Sequence, residues 1–335
     1  MEVRGMKRVG YLADKVFTRE NVRAAWDAYN KNRPVKLRKA FDQRRADRIL
    51  QAARRDFAAV VANPREKTIF ESGKERRLQI PRFAASIAML MLWNVAGPYV
   101  ERHIHSMSFS SRKGMGGHLA AAKCSRFLRT HRKDAQYCLY FDVRKFYQHI
   151  QARIMMARLE AIFKDRRILD MFDAVLRSAT GGLPIGYPFS HSLANLYLVP
   201  LYFLVRSIKG VSRAFVYMDN WIAFARFKKA AHKARIAAKA WLAGMGCEIK
   251  DDWQVFPTAS RRVKICGFAL HAAHPPRLYR RIWRRTRRAF CVFAAHPTKR
   301  LYLSLMSRKG WLMAINKHFS PAFKLPNGGY LWQAR

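Results

Sequence analysis

"FVYMDNWIAFA", residues Phe215–Ala225, sets one acid and one amide between two apolar runs. Phe215 to Met218 reads as a strand, Asp219-Asn220 as a tight turn, and Trp221 to Ala225 as the returning strand. Asp and Asn suit such turns because they tolerate positive φ and bond their own backbone. Taken alone, this tip is therefore an ordinary turn. A second acid raises the stakes. "QYCLYFDVRKFYQHI", beginning at Gln136, is aromatic and β-rich up to Val143, and Asp142 follows four largely apolar residues. Desolvating a carboxylate costs several kcal/mol unless it is paired or bound to a metal. A salt bridge to one of the many arginines is the plain alternative for Asp142.

Acids are scarce in this chain. Its 335 residues carry 65 lysines and arginines against 21 acids, a formal net charge of +44. Self-repulsion on that scale calls for a polyanion, and nucleic acid is the natural partner. Half the residues are hydrophobic, so a folded protein of two or three modest domains is expected. Cys124, Cys138, Cys247, Cys266 and Cys291 show no close pairing and no C-x-x-C, so neither a zinc site nor a disulfide framework is suggested. A reducing, cytosolic compartment fits. The N-terminus lacks the apolar core of a signal peptide. Phe83 to Val100 carries no charge and grazes the length of a membrane span. With Ser86, Asn94, Gly97 and Pro98 inside it, it reads as a buried helix ending near Gly97-Pro98, with no membrane partner.

Residues 1 to about 75 read as basic and helical, with Thr18 an N-cap and Phe41, Ile49, Ala52 and Phe57 on an apolar face. Ile80-Pro81 favours an extended segment. A glycine-punctuated loop, "SRKGMGGH", precedes another basic helix. Beyond Asp142, "IMMARLEAIFKDRRILDMFDAVLRSA" is helical by period, and "TGGLPIGYPFSHSLANLYLVPLYFLV" passes from a Gly/Pro loop into an apolar helix. "KKAAHKARIAAKAWLAGMG" is a helix with a glycine stop, followed by the strands "CEIKDDWQVF" and "RRVKICGFALH". From Pro275 the chain is strongly basic again, with Leu278, Ile282, Ala289 and Phe293 at helical spacing.

These blocks resemble the reverse transcriptase family, most closely the enzymes of diversity-generating retroelements and retron-type bacterial and phage reverse transcriptases. "YFDVRKFYQHI" is similar to the family's first catalytic strand, "GLPIGYPFSHSLANLYL" to its template-and-nucleotide loop and helix, and "FVYMDNWIAFA" to its catalytic hairpin. "DDWQVFP" and "KICGFALH" resemble the strands that follow, and "RKGWLM", Arg308 to Met313, a thumb segment. The resemblance runs from about Met6 past Trp311. It implies an α+β right-hand polymerase fold: fingers over 1–135, an antiparallel-sheet palm over 136–270 and a helical, basic thumb over 271–335.

By the same resemblance, Asp142 and Asp219 are metal ligands with the Val143 carbonyl, and Asn220 is a weakened catalytic third ligand where the family has a second Asp. Tyr147 screens the sugar 2′-hydroxyl. Ile185 and Gly186 face the base pair, and Arg76 and Arg112 hold the triphosphate. Arg280, Arg281, Arg284 and Arg285 of the thumb grip the duplex by phosphate contacts, which position without specifying sequence. The implied cofactors are two Mg2+ ions, with Mn2+ as a substitute. Two-metal nucleotide addition sets the ions about 3.5–4 Å apart, and magnesium keeps several waters, so two or three carboxylates suffice. The implied partners are template RNA, RNA–DNA duplex, deoxynucleoside triphosphates and a retroelement accessory protein, in the cytoplasm of a bacterial or phage-infected cell. Other departures from the family are Ala85 and Ser86 in place of an acid-arginine pair, Ser190-His191 in place of Ser-Gln, and Trp253 where many members have a lysine. Two other readings of the chain stand beside the polymerase: a polymerase fold that binds RNA without turnover, and a structural RNA-packaging protein.

Overall fold

The computed structural model describes residues 7–31, 33–71 and 74–315. The chain forms two compact units. The first comprises Met1–Arg112, Asp142–Leu204 and Ile236–Asp251; the second comprises Lys113–Phe141, Val205–Arg235 and Asp252–Arg335. Compactness thus groups segments that are far apart in sequence, whereas the division at 135 and 270 is sequential.

The first unit is built around the apolar helix Phe83–His103, ten of whose residues are buried. Helices Arg19–Lys31, Gln43–Arg55, Phe57–Val61, Arg166–Arg177 and Ser190–Tyr197 pack against it. Trp26 meets Phe83 edge-on at 4.8 Å, and Trp93 stacks on Phe189 at 5.0 Å. Thr18 caps its helix as expected, its hydroxyl accepting from the Asn21 N–H at 3.1 Å. The central helix does not end at Gly97-Pro98 but runs through Pro98 to His103. Proline removes only one rung of the helix ladder, and packing on several sides carries the helix past it. This helix is long and apolar enough to cross a membrane, and 56% of its most apolar window is buried inside the protein.

One part of the N-terminal stretch is not helical. Strands β1 (Arg65–Glu71) and β2 (Lys74–Ile80) form an antiparallel hairpin, paired from Arg65↔Ile80 to Glu71↔Lys74. Its residues are mostly charged and exposed, so no apolar alternation announces it. Hairpin pairing overrides the helical reading there.

In the second unit, β3 (Tyr137–Arg144) is flanked by β5 and by β7 (Gln254–Pro257), with β4 (Val211–Tyr217) beyond β5 (Asn220–Ala225). The helix Gly117–Thr130 packs on β4. The sheet core is aromatic: Phe141 lies flat on Trp221, 5.5 Å apart and 10° from parallel. Strand β3 continues into the first unit, where Val143 and Arg144 pair with Ile249 and Glu248 of β6 (Glu248–Ile249).

A second small sheet holds β8 (Val263–Ile265), β9 (Phe268–Leu270) and β10 (Arg277–Leu278). Helices Arg280–Ala295 and Lys299–Ile315 follow. They share a small core of Phe290 and Leu305, with Leu278, Trp283, Ala289, Phe293 and Met306 packed on it. Arg280, Arg281, Arg284 and Arg285 stand exposed on the first of these helices. The segment Arg308–Met313 is helical, and beyond Arg308 its side chains lie outside the described residues. All five cysteines are free thiols.

Candidate active site

The turn of the β4–β5 hairpin is displaced by one residue from the sequence reading. Tyr217 pairs with Asn220, so the two-residue loop is Met218-Asp219 and Asn220 opens β5. Met218 takes φ of 57°, while Asp219 is not among the positive-φ residues. A two-residue loop with positive φ only at its first position normally places glycine there. A bulky side chain at that φ is strained by about 1–3 kcal/mol. The surrounding ladder, anchored by buried Trp221, Ile222 and Phe224, enforces it.

The shift changes what Asn220 does. Its amide oxygen accepts from the Tyr140 hydroxyl at 3.1 Å, and its amide nitrogen donates to Asp219 Oδ1 at 3.3 Å. The orientation follows from chemistry: only the NH2 side of an amide can face a carboxylate favourably. Asn220 is therefore a bridge between Tyr140 and Asp219. Tyr140 lies two residues before Asp142 on β3, on the same face of the strand. That period of two was the available signal for it, and the sequence reading missed it.

Asp142 is 9% exposed, a buried carboxylate at the end of an apolar strand. Its Oδ1 is ion-paired with the Lys250 ammonium, and its carbonyl accepts from the Lys250 N–H at 2.8 Å. The partner is thus a lysine more than a hundred residues away, where an arginine was the plain expectation. No local pattern could have revealed it. Arg144, two residues on, pairs with Asp251 at 2.5 Å.

Several residues that the resemblance assigns to the nucleotide are gathered on one frame in the first unit. The Gln79 N–H of β2 donates to the Ile185 carbonyl at 3.1 Å, and the Leu183 N–H donates to the Tyr147 carbonyl at 2.8 Å. The loop carrying Ile185 and Gly186 is thereby pinned between β2, which also carries Arg76, and Tyr147. Two glycines make this possible. At Gly186, φ is 121° and a Cβ would sit 2.7 Å from the Gln79 carbonyl oxygen; at Gly182, φ is 94° and a Cβ would sit 2.4 Å from that of Tyr147. The Tyr147 hydroxyl lies 2.6 Å from His191 Nδ1. Burial lowers the pKa of His191.

Arg112 is differently placed. Its side chain is 12% exposed and pairs with Glu101 at 2.7 Å. Its terminal nitrogens donate to the carbonyls of His105 and Ser108 at 3.0 and 3.1 Å, and to those of Glu101 and Ile104. Glu101 also accepts from the Ser192 hydroxyl at 2.7 Å. Arg112 thus ties the end of the central helix to its loop, whereas Arg76 is exposed on β2.

Among the described residues no three His, Cys, Asp or Glu side chains gather into a metal cluster. The donors on hand still suit a hard divalent cation. Asp142 and Asp219 offer oxygen only, and Asp142 already holds a cation, the Lys250 ammonium, against one oxygen.

The mixed helix and sheet fold, with one carboxylate on β3 and another at the β4–β5 turn, is that of the polymerase class. More particularly, residues 74–270 match the model of the reverse transcriptase (RNA-dependent DNA polymerase) family, and the chain belongs to that family. No curated protein matches it. Among solved structures it is similar to apo telomerase from Candida tropicalis truncated from the C-terminal domain, with a TM-score of 0.50 and 12% identity over 71% of this chain and 61% of that one. It is also similar to telomerase from Candida tropicalis in complex with a TWJ fragment of telomeric RNA, with a TM-score of 0.50 and 10% identity over 82% of this chain and 59% of that one. The chain thus spans about three fifths of the length of these structures. At such identity the likeness shows the fold alone: the α+β right-hand polymerase fold.

Proposed function

We propose that this reverse transcriptase family member is a retroelement RNA-directed DNA polymerase, of the kind found in diversity-generating elements of bacteria and phages. It copies template RNA into DNA in the cytoplasm from deoxynucleoside triphosphates, alongside an accessory protein of the element. The observation that carries this reading is Asp142: a buried carboxylate, held against a cation, in a chain so short of acids. In this reading 1–135 act as fingers, 136–270 as palm and 271–335 as thumb.

Asp142 and Asp219, with the Val143 carbonyl, would hold two magnesium ions, or manganese in their place. When bound, these would activate the primer 3′-hydroxyl and neutralise the leaving pyrophosphate. Lys250 pairs with Asp142 Oδ1 and would have to yield that place to an ion. Asn220 positions Asp219 through its amide N–H. Tyr147, braced by His191, presents its ring edge to the sugar and screens the 2′-hydroxyl. Gly186 exposes backbone to the base pair. Arg76 holds the triphosphate, and Arg112 serves it indirectly by fixing the loop after the central helix.

The test is primer extension on an RNA template beside a filter-binding assay. Asp142→Ala should lower extension by about a thousandfold or more while RNA binding persists. Full activity in that variant would refute the assignment. The bridging role of Asn220 favours a second reading, a polymerase fold that binds RNA without turnover. Tight RNA binding with no extension by the parent under magnesium or manganese would establish it.

A further inference from the structure

Tyr147, on the short helix Phe146–His149, is held both at its carbonyl and at its hydroxyl. The carbonyl accepts from the Leu183 N–H at 2.8 Å, and the hydroxyl lies 2.6 Å from His191 Nδ1. The two rings meet edge to face, 5.8 Å apart and 81° from parallel. His191 stands in the first turn of the helix Ser190–Tyr197, whose N-cap, Phe189, makes no side-chain cap. The anchors of that helix come instead from far along the chain. The Ser192 hydroxyl donates to Glu101 Oε1 at 2.7 Å, and the other oxygen of that carboxylate accepts from Arg112 Nε at 2.7 Å. Further along, Asn195 accepts from the Ser108 hydroxyl at 3.1 Å and donates to the Ser110 carbonyl at 2.9 Å. Ser192 and Asn195 are both buried.

A tyrosine whose hydroxyl is bonded to a protein side chain cannot leave its rotamer without breaking that bond. One such hydrogen bond weights the two positions by up to about tenfold. The Ser192–Glu101 contact is costlier to break, because separation leaves a hydroxyl and a carboxylate unpaired. Ser192 and His191 are neighbours, about 100° apart around the helix, so the contact that fixes one fixes the direction of the other. A chain of contacts therefore runs from Arg112 and Glu101, at the end of the central helix, through Ser192 and His191 to the ring of Tyr147. Where a reaction depends on the place of a side chain, a displacement of about 1 Å changes its rate by up to about a hundredfold.

We infer that His191, aimed by the Glu101–Ser192 contact, is the positioning residue that sets how strictly Tyr147 separates deoxyribose from ribose. This role rests on the polymerase reading above, in which Tyr147 meets the sugar, and adds to it the residues that hold the screen in place. The effect falls on the ratio of the two sugars, because a ring edge free to withdraw admits a 2′-hydroxyl that a fixed one excludes. A bond that served the fold alone would lower the use of both sugars together and leave the ratio where it was.

The full chain, with an RNA template and a DNA primer, is given dATP or ATP opposite a template uridine, and the ratio of the two kcat/KM values is taken. His191→Phe keeps a ring beside Tyr147 and removes the bond; it should lower the ratio by about fivefold to tenfold. His191→Gln offers an amide that can bond the hydroxyl and should hold the ratio within about twofold of the parent. Ser192→Ala, which frees the helix turn, should lower it by about threefold. Tyr147→Phe should lower it as far as His191→Phe does, and the two together no further, since both remove one and the same bond. An unmoved ratio in His191→Phe, or losses that multiply in the double variant, would overturn the role of His191 and leave the polymerase reading intact. A parent that inserts neither nucleotide would count against the polymerase reading instead. Binding then decides: dATP and ATP are titrated onto the chain with the same template and a primer ending in a dideoxynucleotide. Their dissociation constants should differ in the parent and converge in His191→Phe, and equal values in the parent would overturn the role. Labelling with meta-fluorotyrosine separates repositioning from misfolding. The Tyr147 fluorine resonance, identified by its loss in Tyr147→Phe, should shift in His191→Phe and Ser192→Ala while the other tyrosines keep theirs. Shifts throughout, with a lowered thermal melt, would assign the change in ratio to disturbed folding and sink the proposal.

Discussion

Two hairpins in this protein are built on opposite principles. The β4–β5 hairpin is apolar: every residue from Trp221 to Ala225 is buried, and Trp221 stacks on Phe141 of the neighbouring strand. The β1–β2 hairpin is charged, and Phe70 near its tip is 80% exposed. The first can hold Met218 at a strained φ because its ladder is anchored on the core. The second carries Arg76 on an exposed surface, and its Gln79 end is tied to Ile185 and Thr180. Strain is stored where burial supports it, and charge is presented where water covers it.

The largest test of that contrast is truncation. Trp221→Ala should destabilise the fold by about 3–5 kcal/mol in chemical unfolding, whereas Phe70→Ala should change it by less than about 0.5 kcal/mol. Trp221→Phe keeps the stack and removes a buried indole N–H that has no hydrogen-bond partner, so it should cost well under half of the alanine loss. Comparable losses for Trp221→Ala and Phe70→Ala would break the comparison.

A middle-sized effect separates buried from exposed histidines. His105 lies flat on Tyr202 at 3.6 Å, and burial, with the nearby Arg112 charge, brings its pKa down to about 3. In the folded protein it stays neutral where the unfolded chain takes up a proton. Its contribution is therefore intact above the ordinary histidine pKa of 6.5 and is lost as pH falls from there towards 3. The slope is about 1.4 kcal/mol per pH unit, so about 2 kcal/mol should be gone by pH 5. His191, also lowered by burial, adds in the same direction. Urea unfolding at a series of pH values checks this, and His105→Phe should flatten the curve.

The smallest effect probes the hairpin tip itself. Asn220→Asp replaces the amide that donates to Asp219 with a second carboxylate. Like charges at that distance should lower stability by about 1 kcal/mol without divalent ions, and magnesium or manganese should restore it. Thermal melts with and without the ion decide the matter. If the ion makes no difference, no metal is held at Asp219. Where it does restore the melt, magnesium-dependent extension should rise as well.

How far the chain could be read in advance follows the same division. Strand β3, the apolar core of the β4–β5 hairpin, the helix after "GLPIG" and the helix Arg280–Ala295 all announce themselves, because burial on one face imposes a period on the sequence. The β1–β2 hairpin does not, since nothing buries its face. Nor did the register of the tip: Asp-Asn is good turn chemistry, yet the ladder places Met218-Asp219 in the turn.

By itself, then, the sequence determined the class of fold, through the family its motifs resemble, and the basic surface and the two acids at the ends of apolar segments, which follow from composition and periodicity along one chain. Only the tertiary structure decided that Lys250 faces Asp142, that Asn220 joins Tyr140 to Asp219, that Gly182 and Gly186 admit two backbones at close range, and that Arg112 is spent on carbonyls. Each of these is a contact between residues brought together by folding rather than by neighbourhood. A carboxylate, an amide or a guanidinium takes whichever partner the fold delivers, and no local spacing encodes that choice.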